Sequence, residues 1–256
     1  MRHIKSPLLN VMIKAAEKTG RALLRDFGEV EKLQISKKGP GDFVSAADRK
    51  AEKILKEELE YARPKFSFIL EESGEIKGED PDNTWIIDPL DGTLNFLRGI
   101  PHWAISIAVK RKDEIISALV YDPVKDDMFT AEKGQGAFSN SVRLRVTNKR
   151  VPHDMLFACS DATACSYINQ PPYIKYRNMG SASLHLAYLA AGKFDAVLTN
   201  KLPVWDTAAG LLLIKEAGGF VSDLDGGRNI LSGNKELIAA NPPLHGELLT
   251  MIRENK

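Results

Sequence analysis

Residues 84–96 read Thr84-Trp85-Ile86-Ile87-Asp88-Pro89-Leu90-Asp91-Gly92-Thr93-Leu94-Asn95-Phe96. The first four are β-branched or aromatic and predict a short buried strand. Asp88 stands where that strand ends, Pro89 cannot continue a ladder, and Gly92 permits a tight turn. Two carboxylates, Asp88 and Asp91, are therefore expected close together on a turn leaving a sheet. At ~4 Å and an effective dielectric of about 20 they repel by ~4 kcal/mol, so one is protonated or a cation lies between them. No Lys or Arg occurs from Thr84 to Leu97, which makes a metal ion the economical answer. Backbone N–H groups near Gly92 and Thr93 could hold an anion beside it. Taken alone, Asp-x-x-Asp-Gly fits a surface turn better.

Working outward, Phe66 to Leu70 predicts a second strand, ending in Glu71-Glu72-Ser73. If the two strands are neighbours that end together, Glu71 comes to Asp88. Gly74 to Asn83 is polar and is expected to be a connecting loop. Further upstream, Leu9, Met12, Ala16, Leu23 and Phe27 give a helical stripe that Gly28 should close. Lys37 to Gly41 has the composition of a linker. A second helix is expected from near Ser45, where Ser45-Ala46-Ala47-Asp48 fits a capping box, so that Asp48 is readable as a cap.

Downstream, 104–110 and 114–121 predict a hairpin through Lys112-Asp113, followed by strands at 128–131 and 142–146. Glu132 to Ala137 predicts a structural turn. Its Gly134-Gln135-Gly136 lacks the third glycine of a dinucleotide fingerprint. The second half offers strands at 156–159, 195–199, 220–222 and 237–240. Its helices are expected at 183–191, 207–217 and after Pro243. Ser181 and Asp206 each precede a helix and are readable as N-caps.

At 256 residues with 43% apolar content, the chain can bury one large core or two packed halves. A net charge of +1 argues against a broad nucleic-acid footprint. Two cysteines, Cys159 and Cys165, form no framework or zinc pattern, which points to a reducing, cytoplasmic setting. The first ten residues suggest neither a signal peptide nor a membrane span.

Asp88-Pro-Leu-Asp-Gly-Thr-Leu-Asn-Phe96 resembles the signature of the inositol monophosphatase family of metal-dependent sugar phosphatases. Trp205-Asp206-Thr-Ala-Ala-Gly210 resembles that family's second signature, and the resemblance runs from about Leu9 to about Asn241. It implies an α+β fold, a layered αβαβα sandwich of the type shared with fructose-1,6-bisphosphatase. Residues 1–146 would form an N-terminal half carrying most metal ligands, and 147–256 a C-terminal half completing the site.

The resemblance also implies a mechanism. Glu71, Asp88, Asp91 and Asp206, with the backbone carbonyl of Leu90, would hold two or three magnesium ions, Asp88 bridging two of them. All are hard oxygen donors, which suit magnesium better than zinc or copper. Thr93, oriented by Asp48, would align or deprotonate the attacking water, and Glu72 would be an auxiliary base. Gly92 and Thr93 would bind phosphate, Gly180, Ser181 and Ala182 would lie beside the substrate hydroxyls, and Lys37 would approach the phosphate. Lithium inhibition and a homodimer are further family traits.

The resemblance leaves other functions open. One is nucleotidase action on 3′-phosphoadenosine phosphate. Another is the RNA polymerase and RNA association of the SuhB-type bacterial relatives. A haloacid dehalogenase reading fails, because that chemistry needs Asp-x-Asp near the amino terminus. Two departures stand out. Thr199 occupies the place of a hydroxyl-binding glutamate, leaving the polyol open, and the segment 160–176 is shorter than in most members.

Overall fold

The computed structural model describes residues 5–33, 40–168, 174–231 and 234–254, with backbone alone at 30–33 and 40–45. Lys37, expected near the phosphate, lies outside the described residues.

Helix α1 spans Pro7–Leu33 and α2 spans Pro40–Ala62. Gly28 does not end α1, since one exposed glycine costs a helix only about 1 kcal/mol. Helix α2 begins five residues before Ser45, so Ser45 and Asp48 lie inside it and the capping-box reading is corrected. Strand β1 (Phe66–Leu70) turns back into β2 (Gly74–Ile76), and β3 runs through Asp80–Asp91. The expected polar loop at 74–83 is thus partly strand, because a sheet edge satisfies the backbone of polar residues as well as apolar ones. A short helix, α3 (Thr93–Leu97), follows where only a turn was expected.

Strands β4 (Ala104–Arg111) and β5 (Glu114–Asp122) form the expected hairpin. They are followed by β6 (Asp127–Glu132), β7 (Gly136–Ser139) and the two-residue β8 (Val142–Arg143). The turn between β6 and β7 is structural: the Glu216 carboxylate accepts hydrogen bonds from Gly134 N and Gly136 N, each at 2.8 Å.

The second part holds β9 (Leu156–Cys159), α4 (Ala162–Ser166), β10 (Lys175–Arg177), α5 (Ala182–Ala190) and β11 (Ala196–Leu202). It ends with α6 (Val204–Glu216), β12 (Phe220–Asp223), β13 (Lys235–Ala240) and α7 (Pro242–Glu254). The segment 160–176, expected to be short, holds one helical turn, α4, capped by Asp161 through Ala164 N at 2.8 Å. Helix α6 starts at Val204 with Pro203 at its N-cap, so Asp206 lies in the first turn and is not the cap.

The strands form two sheets, in the orders β2-β1-β3-β4-β5-β6-β7-β8 and β10-β9-β11-β13-β12. In the first, among the described residues, only β1 and β3 are parallel. Alternation along β3 explains the layering. Trp85 and Ile87 pack with Leu9, Met12 and Leu55 of α1 and α2, whereas Ile86 packs with Leu184, Leu212 and Leu213 of α5 and α6. On the far side of α5 and α6, Val197 and Ala239 bring in the second sheet. The opposite face of that sheet, through Phe157, Leu198 and Ile238, packs on Leu244 and Leu248 of α7. The order is helices, sheet, helices, sheet, helices: the expected αβαβα sandwich. Gly210 marks how tightly the central layer closes, for a Cβ there would stand 2.4 Å from Leu186 Cβ.

Cys159 and Cys165 are paired as a disulfide, with Cα atoms 5.4 Å apart. The sequence shows no disulfide framework and points to a reducing setting; the pairing arises because α4 folds Cys165 back onto the end of β9. Among the described residues no helix is long and apolar enough to cross a membrane.

Candidate active site

The site begins where β1 and β3 end side by side. Their parallel register pairs Leu70 with Ile87, so the next residues, Glu71 and Asp88, meet and share a side-chain hydrogen bond. On the other side of β3, Asp88 pairs with Ser106 and Asp91 with Ala104. Three steps on one strand thus match two on its neighbour, which is a bulge. Because Ser106 and Ala104 are two apart, the bulge sets Asp88 and Asp91 on one face. Pro89 sits within it and has no N–H to leave unpaired. Sequence reasoning ended the ladder at Pro89, but the strand continues through Asp91 by absorbing an extra residue.

The turn is tied locally. Leu90 N donates to Asp88 Oδ1 at 2.9 Å, and Thr93 Oγ1 donates to the Leu90 carbonyl at 3.0 Å. Gly92 has φ +94°, and a Cβ there would meet His102 O at 3.1 Å, so only glycine fits. The first N–H groups of α3 open from this point without partners inside that helix.

Asp206 comes from the first turn of α6. Ser106 Oγ donates to the Trp205 carbonyl at 3.2 Å, anchoring the start of α6 beside the end of β3. Asp91 reaches the other way, to α5. Its Oδ2 accepts from Ser181 Oγ at 2.5 Å, from Ser183 N at 2.7 Å and from the Ser183 hydroxyl. Its Oδ1 takes only the long contact from Ala182 N, at 3.3 Å. Ser181 is also the N-cap of α5, accepting from Leu184 N. Asn95 closes the seam by donating from Nδ2 to the carbonyls of His102 and Met179, each at 2.7 Å.

The electrostatics follow from burial among like charges. Asp88 is raised well above the usual carboxylate range, first by desolvation and then by Asp91, Glu71 and Asp206. Desolvation also raises Glu71 and Asp91, and hydrogen bonds partly offset it in both. Asp206 is pushed up to about 8 by burial, then by Asp91 and Glu71. Asp48 is pushed up to about 7 by burial, then by Glu71 and Glu72. Its Oδ1 is buried without a hydrogen-bond partner among the described residues.

Glu71, Asp88, Asp91 and Asp206 are thus gathered, with Asp48 behind them and the exposed Glu72 at the mouth. The expected Asp48–Thr93 hydrogen bond is not made, because Thr93 turns its hydroxyl to Leu90. Ser181 and the Ala182 N–H turn to Asp91, and Gly180, at φ +79°, packs on Asn95. Thr199 is buried in the second sheet, where its hydroxyl accepts from Leu237 N at 3.3 Å. Among the described residues no group of three or more acidic, histidine or cysteine side chains is arranged so that it could hold a metal ion as it stands; Glu71 is paired with Asp88, and Asp91 is hydrogen-bonded to the start of α5.

Sequence reasoning missed Ser106 and Ser183 and read Asn95 only as part of the first signature; each acts through a partner distant in the chain.

Residues 4–256 match a family model described as the inositol monophosphatase family. An inositol-1-monophosphatase of Mesorhizobium japonicum is 47% identical, over 98% of this chain and 97% of that protein. The Nus factor SuhB of Escherichia coli K12 is 40% identical, over 97% and 96%. The crystal structure of extragenic suppressor protein SuhB from Bartonella henselae superposes with a TM-score of 0.88 at 46% identity, covering 97% of this chain and 99% of that one.

Proposed function

The chain belongs to the inositol monophosphatase family, and we propose that it hydrolyses inositol monophosphate to inositol and inorganic phosphate with magnesium in the acidic cluster. The observation that carries this reading is the meeting of Glu71 and Asp88 at the parallel ends of β1 and β3, with Asp91 set on the same face by the bulge and Asp206 near enough to act on Asp88. Such a cluster is short of positive charge, and its donors are all oxygen, which suits magnesium. Glu71, Asp88 and the Leu90 carbonyl would hold one ion. Asp88, Asp206 and the lightly bonded Oδ1 of Asp91 would hold another.

When bound, magnesium neutralises phosphate charge and makes a water molecule more acidic. The chain supplies the rest. Thr93, its proton committed to Leu90, presents its oxygen as an acceptor that aligns the water. Asp48, buried beside Glu71 and Glu72, would help orient the water, and the exposed Glu72 would serve as an auxiliary base. Water oxygen forms a bond to phosphorus as the ester P–O bond breaks, and the departing alkoxide takes up a proton. Backbone N–H groups at Gly92 and Thr93 would face the phosphate.

Phosphate release from inositol monophosphate tests this directly. Release that needs magnesium, stops in chelator and falls with lithium is expected; full release in chelator would sink the reading. A second reading rests on the 40% identity to proteins named Nus factor SuhB: association with RNA polymerase beside catalysis. Capture of purified polymerase by the tagged chain checks it, and no retention above a tag control rejects it.

A further inference from the structure

Glu52 lies one helical turn after Asp48 on α2, and both side chains are buried, at 4% and 5% exposure. Its carboxylate spans the turn after β1. Oε2 accepts from Glu72 N at 2.9 Å, and Oε1 accepts from the Ser73 hydroxyl. Both oxygens are therefore spent on the two residues that follow Glu71, whose own side chain points to Asp88. The charge of Glu52 also bears on its neighbours, adding to the like-charge pressure on Asp48 and Glu71. A buried anion beside other anions is costly. Here its placement gives the Glu71–Ser73 turn a fixed seat on a long helix.

We propose that Glu52 is a positioning residue that locks the Glu71–Glu72 turn, so that Glu71 is held toward Asp88 before a cation arrives. This rests on the magnesium reading above. Without Glu52, the turn loses its only side-chain acceptors among the described residues, and Glu71 must be ordered when the ion binds. Part of the binding free energy then goes into ordering. The two hydrogen bonds need an acceptor for Glu72 N and a partner for the Ser73 hydroxyl. Glutamine supplies both, since its carbonyl accepts and its amide donates. Alanine supplies neither.

The test is calorimetric titration of the full-length protein with magnesium, beside melting temperatures and substrate kinetics at saturating magnesium. Glu52→Ala should weaken magnesium binding by about 10-fold or more, the scale of supporting-shell losses. Glu52→Gln should stay within about threefold of wild type, and KM should move less than about twofold in either. A fall in melting temperature with unchanged magnesium affinity in Glu52→Ala would show a packing role and overturn the proposal. Equal losses in Gln and Ala would overturn it too, by pointing to charge instead of position. If Glu52→Ala does not fold, Ser73→Ala removes one of the two bonds. A weakening of about threefold is then expected, and none would count against the proposal. Wild type that binds no magnesium would remove the underlying reading, an outcome distinct from all of these.

Discussion

Asp88 and Asp91 share a strand end and a face, yet the fold treats their charges in opposite ways. Asp91 is met by four hydrogen bonds from the start of α5. Asp88 is met by one backbone N–H, from Leu90, and otherwise by other carboxylates. Both are buried, at 8% and 2% exposure, so the contrast does not come from access to solvent. It teaches that a buried carboxylate surrounded by donors joins elements together, while one surrounded by carboxylates waits for a cation. Asp91 ties the end of β3 to the start of α5; Asp88 is the candidate centre of the chemistry.

The comparison breaks first at Asp88. Asp88→Asn should lower kcat by about 1,000-fold or more, the loss of ~4 kcal/mol of transition-state stabilisation. The same change should raise the melting temperature of the metal-free protein, because it removes repulsion and no donor loses its partner. Near wild-type turnover in this variant would reject Asp88 as the central ligand.

Asp91→Asn should do the reverse to stability. Losing a charged acceptor costs about 2 kcal/mol, ~4–8 °C for a chain of this size. Calorimetry of the two variants without metal reads the contrast, and melting shifts of the same sign would refute it.

The pH dependence of the metal-free protein sharpens the point. Burial raises Asp206 to about 8 and Asp48 to about 7 in the folded state, against about 3.9 when unfolded. The folded state therefore holds protons that the unfolded state has released. Their stabilisation is full below about pH 4 and is lost as pH rises through 7 to 8. The melting temperature should fall between pH 5 and 8.5 without metal, and magnesium should flatten that slope. A rise over the same interval would contradict the cation-starved cluster.

Ser183→Ala gives the smallest effect. It removes one donor from an acceptor that keeps three, so about 1 kcal/mol is expected. Denaturant unfolding measures it, and a loss as large as that of Asp91→Asn would mean that Ser183 carries the whole clasp.

What the sequence made legible was local. Strand endings placed Glu71 beside Asp88, and the helix stripes and the cap at Ser181 followed from spacing. Burial on both faces made Trp85 to Ile87 readable as a buried strand. The misses have two physical causes. Some lie in local competition: Pro89 was taken to end a strand that a bulge lets continue, and α2 starts at Pro40, which turns Asp48 from a cap into a buried acid. Others are contacts across long stretches of chain. Ser106 reaches Trp205, Asn95 reaches Met179 and Ser183 reaches Asp91. No periodicity announces such partners, because only the packed sandwich brings them together.

The bulge at Pro89 and Leu90 has a genetic consequence. Every other candidate ligand is a side chain and can be erased by a single codon change. The Leu90 carbonyl belongs to the backbone, and any residue placed there still carries it. Only a change in chain length can remove it. Deleting one residue between Asp88 and Asp91 would leave them two apart, on the same face of an unbroken strand, and return that carbonyl to the ladder. The strand would become more regular and the centre would lose a donor. At this one position substitution is silent toward the donor, and deletion is the informative lesion.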